Sequence, residues 1–89
     1  MDTRTPELRA ELSLRLRRIE GQVRGVQRMI EEGRDCPDVL QQMTAIRSAV
    51  HQAGLILARA YIAECMQGGN QGQAEVALDR LMITLEQLD

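Results

Sequence analysis

Eighty-nine residues make one small domain, and with one Tyr, no Phe and no Trp its core is aliphatic and filled with Met. A core of this size is marginal by itself, and two Cys cannot supply a disulfide lattice, so the composition points to oligomerisation. It argues against a secreted disulfide scaffold and a disordered tail (27% charged, net −2), and no apolar run approaches the roughly 18 residues of a membrane span. The expected compartment is the cytoplasm, where thiols stay reduced and a pair of Cys is reactive or metal-binding rather than structural.

All eleven basic residues are Arg. Eight lie within positions 1–34 against six acids, and the remainder holds three Arg against seven acids. This weak asymmetry fits either a solvated helix face or a surface that meets phosphates.

The first predicted helix opens at Thr5-Pro6-Glu7, with Thr as cap, Pro at the first helical position and an acid in the first turn. Leu8, Leu12, Leu16, Ile19, Val23, Val26 and Ile30 then recur every three or four residues. Gly21 and Gly25 interrupt a good helical pattern and read as sites of close backbone approach; Gly33 ends the helix. Asp35-Cys36-Pro37-Asp38 starts a second helix, with Asp35 as the capping carboxylate. Val39, Met43, Ile46, Val50, Ala53, Leu57 and Ala60 follow, and no breaker appears before Gly68, which predicts a helix from 36 to about 66. A rod of about 45 Å is far longer than so small a globule needs and calls for a partner helix. A turn over Gly68–Gly72 and a third, shorter helix marked by Ala74, Leu78, Leu81, Leu85 and Leu88 complete an all-α chain, read as a single domain over residues 1–89.

Cys36 falls in the first turn of the second helix and Cys65 in its last, some 43 Å apart by helical rise. They cannot meet in one continuous helix. They can meet between two chains if the long helix lies antiparallel to its own copy, with the dyad near Val50 and His51, giving two equivalent sites. The alternative is two unrelated buried thiols. The partial positive charge at a helix N-terminus, with Arg34 nearby, makes Cys36 the better nucleophile, opposed in part by Asp35 and Asp38. A nucleophilic and a resolving Cys are the parts of a thiol switch. Tyr61, one turn before Cys65, is where a third metal ligand would come from, but a neutral phenol is a poor donor to a soft monovalent ion. His51, the single His, lies about 20 Å from either Cys and cannot join them.

The run Arg15-Leu16-Arg17-Arg18-Ile19-Glu20-Gly21-Gln22-Val23-Arg24-Gly25, followed by Met29, Gly33 and Cys36-Pro37-Asp38-Val39-Leu40, resembles the all-helical CsoR/RcnR family of bacterial repressors, and the likeness extends from about Leu8 to Leu85. The resemblance implies a three-helix protomer with a long central helix, an antiparallel homodimer with a four-helix-bundle core, and usually a dimer of dimers. It implies operator double-stranded DNA as partner, bound without a helix-turn-helix and released by an inducer. Arg15 and Arg18 match family positions for DNA, Gln22 lies one turn on, and Arg47 with Ser48 would extend the contact; Gln52 stands where some relatives carry Arg.

Copper sensors of this family present Cys, His and Cys, with the His four residues before the second Cys. Cys36 and Cys65 match that set, and Tyr61 replaces the imidazole. Nickel and cobalt sensors need several His, and formaldehyde sensors carry Pro after the initiator Met, where this chain has Asp2. The chain is similar to the persulfide-responsive, CstR-like branch, which keeps both Cys, lacks the His and carries a segment like Gly33-Arg34-Asp35-Cys36. The resemblance therefore implies a persulfide or polysulfide inducer that attacks Cys36, with Cys65 of the partner subunit resolving the adduct and no cofactor. The alternative is Cu(I) held by Cys36 and Cys65. An enzyme of the small all-α chorismate-mutase type is disfavoured, since such sites use Lys as well as Arg. A helical scaffold without a DNA role remains the reading from a different class.

Overall fold

The computed structural model describes residues 5–67 and 71–88; the side chains at 65–67, 71, 73, 74, 77 and 88 lie outside the description, as do the expected turn at Gly68–Asn70 and the apolar markers Ala74 and Leu88. The described residues form three α-helices and no strand: α1 (Pro6–Glu31), α2 (Cys36–Gln67) and α3 (Gln71–Leu88). Gln71 and Gly72, expected in the second turn, already belong to α3, because an exposed Gly in the first turn weakens a helix without ending it.

Local chemistry sets the helix ends. Thr5 precedes Pro6 in extended conformation (φ −71°, ψ 133°), yet its side chain makes no capping hydrogen bond; the fixed φ of Pro6 and its missing N–H suit the first helical position without one. Gly33 takes φ +71°, a conformation that costs little only without a Cβ. There its amide donates to the Ile30 carbonyl at 3.1 Å and the Arg34 amide to Met29 at 2.9 Å, which satisfies two otherwise orphaned helix-end carbonyls and reverses the chain. Asp35 sits at the cap of α2, its carbonyl accepting from the Asp38 and Val39 amides at 3.0 and 3.2 Å.

The helices lie side by side in a slab of 55 × 27 × 12 Å, one helix diameter thick. α2 is central and touches both neighbours, whereas α1 and α3 do not touch each other among the described residues. A single layer buries little. Ile19, Val26, Val39, Ala53 and Ala58 are the buried hydrophobic residues, and no described side chain is fully enclosed.

Each apolar stripe divides into two rows of heptad spacing. On α1, Leu12, Ile19 and Val26 are half-buried or buried, while Leu16, Val23 and Ile30 stay exposed. On α2, Val39, Ile46, Ala53 and Ala60 are buried or half-buried, while Met43 and Val50, with Leu40 beside them, are exposed. The first row of each helix closes the α1–α2 hairpin. The second row flanks it at i−3 and i+4: Leu16 and Val23 about Ile19, Met43 and Val50 about Ile46. Antiparallel neighbours in one layer are related by a local two-fold axis normal to it, so these matching flanks emerge on the same broad face. That face carries Leu16, Val23, Ile30, Leu40, Met43 and Val50, six large apolar side chains left in water by the protomer.

Candidate functional site

The opposite flank of α1, at i−4 and i+3 from Ile19, carries Arg15 and Gln22, with Arg18 one step further round. These three expected DNA residues therefore share the polar side of the slab. Arg15 is half-buried and its Nε lies 3.6 Å from Oε1 of Glu11, one turn earlier; Arg18 and Gln22 are exposed. An exposed i, i+4 pair of this kind contributes little to stability and yields readily to a competing anion.

Arg47 does not join them. It falls four residues after Met43 and three before Val50, inside the exposed apolar row of α2. The family resemblance offers it as an extension of the DNA contact; within one protomer its helical position lies toward the other broad face. Ser48 and Gln52, both exposed, lie round the helix on the polar side. The expected close approach at Gly21 and Gly25 is also absent within the protomer, since a Cβ built on either meets nothing within 4 Å. Both point away from α2, where the single layer supplies no neighbour.

Cys36 is the first residue of α2 and its free thiol is exposed. It lies three residues before Val39, on the i−3 flank, and so at the edge of the apolar face, next to Leu40 and Met43. Arg34 and Asp35, both exposed, form the link that leads into it. Residue 65 belongs to the last turn of α2, while the Cys65 side chain lies outside the described residues. Its helical position is nevertheless informative. Twenty-nine steps of about 100° come to within roughly 20° of a whole number of turns, so positions 36 and 65 fall in the same helical register at opposite ends of the rod.

Tyr61 and Glu64 are half-buried in the turn before Cys65, and Oε2 of Glu64 is shielded from solvent. His51 is half-buried mid-helix with its Nδ1 shielded, about 22 Å along the axis from residue 36. No group of three or more His, Cys, Asp or Glu that could hold a metal ion occurs among the described residues of one protomer.

A family model described as metal-sensitive transcriptional repressor matches residues 9–87. The chain belongs to this family. These metal-sensitive repressors, of the CsoR type, are transcription regulators rather than enzymes. Among curated relatives, the chain is 40% identical over 78 residues to the copper-sensing transcriptional repressor RicR of Mycobacterium tuberculosis, covering 76% of this chain and 81% of RicR. It is 37% identical over 73 residues to the copper-sensing transcriptional repressor CsoR of Bacillus subtilis, covering 81% and 72%. Among solved structures, it is similar to the copper-sensing repressor CsoR with Cu(I) from Geobacillus thermodenitrificans, with TM-score 0.77 and 40% identity over 98% of this chain and 92% of that one. It is also similar to the nickel-responsive transcriptional regulator InrS, with TM-score 0.73 and 31% identity over 100% and 98%. The protein is thus a metal-sensitive transcriptional repressor of the CsoR type, and no described helix is long and apolar enough to cross a membrane.

Proposed function

We propose that the chain, as one domain over residues 1–89, is a cytoplasmic operator-binding repressor that releases DNA when Cu(I) bridges Cys36 and Cys65 of the partner subunit. The observation that carries this reading is the apolar face with Cys36 at its edge. Two copies that bury this face against each other form a four-helix bundle of α1, α2 and their mates. In an antiparallel arrangement with its dyad between Val50 and His51, near the middle of α2, position 36 of one chain comes opposite position 65 of the other. Two thiolates suit the soft cuprous ion, and Cys36 with Cys65 of the partner subunit would hold it without an imidazole. The copper-sensing relatives support this ligand.

Arg15, Arg18 and Gln22 lie on the opposite side and stay accessible in such a dimer; Arg47 is covered by it. An ion shared by Cys36 and Cys65 of the partner subunit would fix the two α2 ends relative to each other and, with them, the spacing of the arginine faces. Because the phosphate term dominates affinity, the loss of several such contacts releases the operator.

One observation favours a second reading. Tyr61 occupies the position four residues before Cys65, where an imidazole would complete a copper site. With two sulfurs and a phenol, the same pair suits thiol chemistry. Cys36 takes the outer sulfur of a low-molecular-weight persulfide and a thiol leaves. The thiolate of Cys65 of the partner subunit then attacks the Cys36 sulfur, hydrosulfide leaves, and a disulfide remains.

Anaerobic titration of the operator complex with Cu(I), and in parallel with polysulfide, separates the two. Release at one Cu(I) per Cys pair, lost in Cys36→Ser, supports copper. Release by polysulfide alone, with a Cys36–Cys65 crosslink in the mass spectrum, replaces it with the sulfur reading.

A further inference from the structure

The arginines of α1 are not equivalent. Arg15 is paired with Glu11, and Arg9 has interactions of its own. Arg17, Arg18, Arg24 and Arg28 are exposed, and among the described residues none of them makes an ion pair. Arg17, Gly21, Arg24 and Arg28 follow one another at spacings of four, three and four, which places them in a single row along the outer edge of α1, away from α2. Arg18 and Gly25 flank the row on the side of Arg15 and Gln22. Glu20 and Glu31 border it on the other side, and Glu20 leaves Arg24 unpaired although it stands four residues before it. Three guanidinium groups without an ion pair on one helix edge, with Arg18 beside them, form a strong local cationic field in a chain whose net charge is −2. At their centre Gly21 and Gly25 leave the helix backbone bare, with nothing within 4 Å of where a Cβ would stand.

We propose that this outer edge is a second phosphate-binding row: Arg17, Arg24 and Arg28 grip the backbone of duplex DNA beyond the contact made by Arg15, Arg18 and Gln22, and the bare helix surface at Gly21 and Gly25 lets the phosphodiester chain approach closely. The inference rests on the operator-binding reading above and extends its footprint. The row spans about 16 Å, a length over which a duplex carries roughly ten phosphate charges, so three guanidinium groups can each find a separate phosphate. Guanidinium groups without intramolecular partners bind phosphates without first breaking an ion pair, and their contacts position the protein without reading sequence.

Because such contacts are sequence-independent, the test needs no operator. Anisotropy of a labelled mixed-sequence duplex of about 30 bp is followed through a salt series for the full-length protein. Arg17→Gln, Arg24→Gln and Arg28→Gln combined should make the log–log salt slope shallower by about 3 for each protomer on the duplex, since each lost phosphate contact removes about 0.9. The corresponding Lys triple variant should keep the slope. Gly21→Leu should weaken binding while its thermal midpoint is unchanged or raised, because Leu meets nothing in the protomer and favours helix. Wild-type binding with an unchanged slope in the Gln triple variant overturns the second row and leaves the operator-binding reading intact. No duplex binding by the wild type at low salt overturns both. An unchanged duplex slope with lost binding to phosphatidylserine vesicles assigns the row to a membrane surface and overturns the DNA assignment.

Discussion

Met43 gives the most direct energetic handle on the apolar face. It lies in the exposed row of α2 between Leu40 and Val50 and is 50% exposed in the protomer. Full burial of a side chain of this size is worth roughly 1.5–3 kcal/mol, so about 1 kcal/mol remains to be gained when a partner covers it. A two-fold interface contains the residue twice. Met43→Ala should therefore cost about 2 kcal/mol per dimer, close to 30-fold in the dimer dissociation constant. Sedimentation equilibrium over a dilution series measures this directly. Leu14→Ala is the control: Leu14 is equally exposed (51%) but stands on the far side of α1, away from the apolar face. A dissociation constant unmoved by Met43→Ala, or moved as far by Leu14→Ala, would refute the assignment of this face to the dimer.

Three further outcomes follow from the site and the fold. Tyr61→His, which installs an imidazole one turn before Cys65, should raise Cu(I) affinity by more than about tenfold in competition with a chromophoric Cu(I) chelator; no gain would mean that residue 61 does not approach the bound ion. Arg15→Ala should make the DNA salt slope shallower by about 1 per protomer and leave the melting temperature unchanged, because its pair with Glu11 is an exposed one. Gly33→Ala forces a Cβ into φ +71° at the α1–α2 link, which should cost about 1 kcal/mol and lower the thermal midpoint by roughly 4–8 °C in calorimetry; an unchanged midpoint would show that the link relaxes.

The helix ends were largely legible in the chain. Pro6, Gly33 and Asp35 act through local backbone chemistry that does not depend on neighbours, and they fall where the structure places helix boundaries. The apolar stripes were legible as stripes and not as surfaces. Leu12, Ile19 and Val26 differ from Leu16, Val23 and Ile30 only by a few tens of degrees round the helix, and periodicity cannot say which row meets α2 and which is left for another chain. Arg47 was offered for DNA by family resemblance, and the face it occupies beside Met43 and Val50 became visible only with the α1–α2 packing. Gly21 and Gly25 read as sites of close backbone approach, yet nothing in the protomer comes near them, because the side on which they stand depends on tertiary placement. The arginine row at 17, 24 and 28 was visible as composition; its distinguishing feature, the lack of ion pairs, exists only in three dimensions. The substitution of Tyr61 for an imidazole is a matter of residue identity and needed no structure.

The central claim is that Cys36 of one protomer sits beside Cys65 of the other. It is tested most directly by mixing Cys36→Ser protein with Cys65→Ser protein, allowing subunits to exchange, and treating the mixture with a short thiol-to-thiol crosslinker. Each variant alone forms dimers without a complete pair; the mixed dimer contains one. A covalent dimer on a non-reducing gel in the mixture, and in neither variant alone, is the predicted result. Covalent dimer in either variant alone, or none in the mixture, would contradict the antiparallel arrangement and the sensor site built on it.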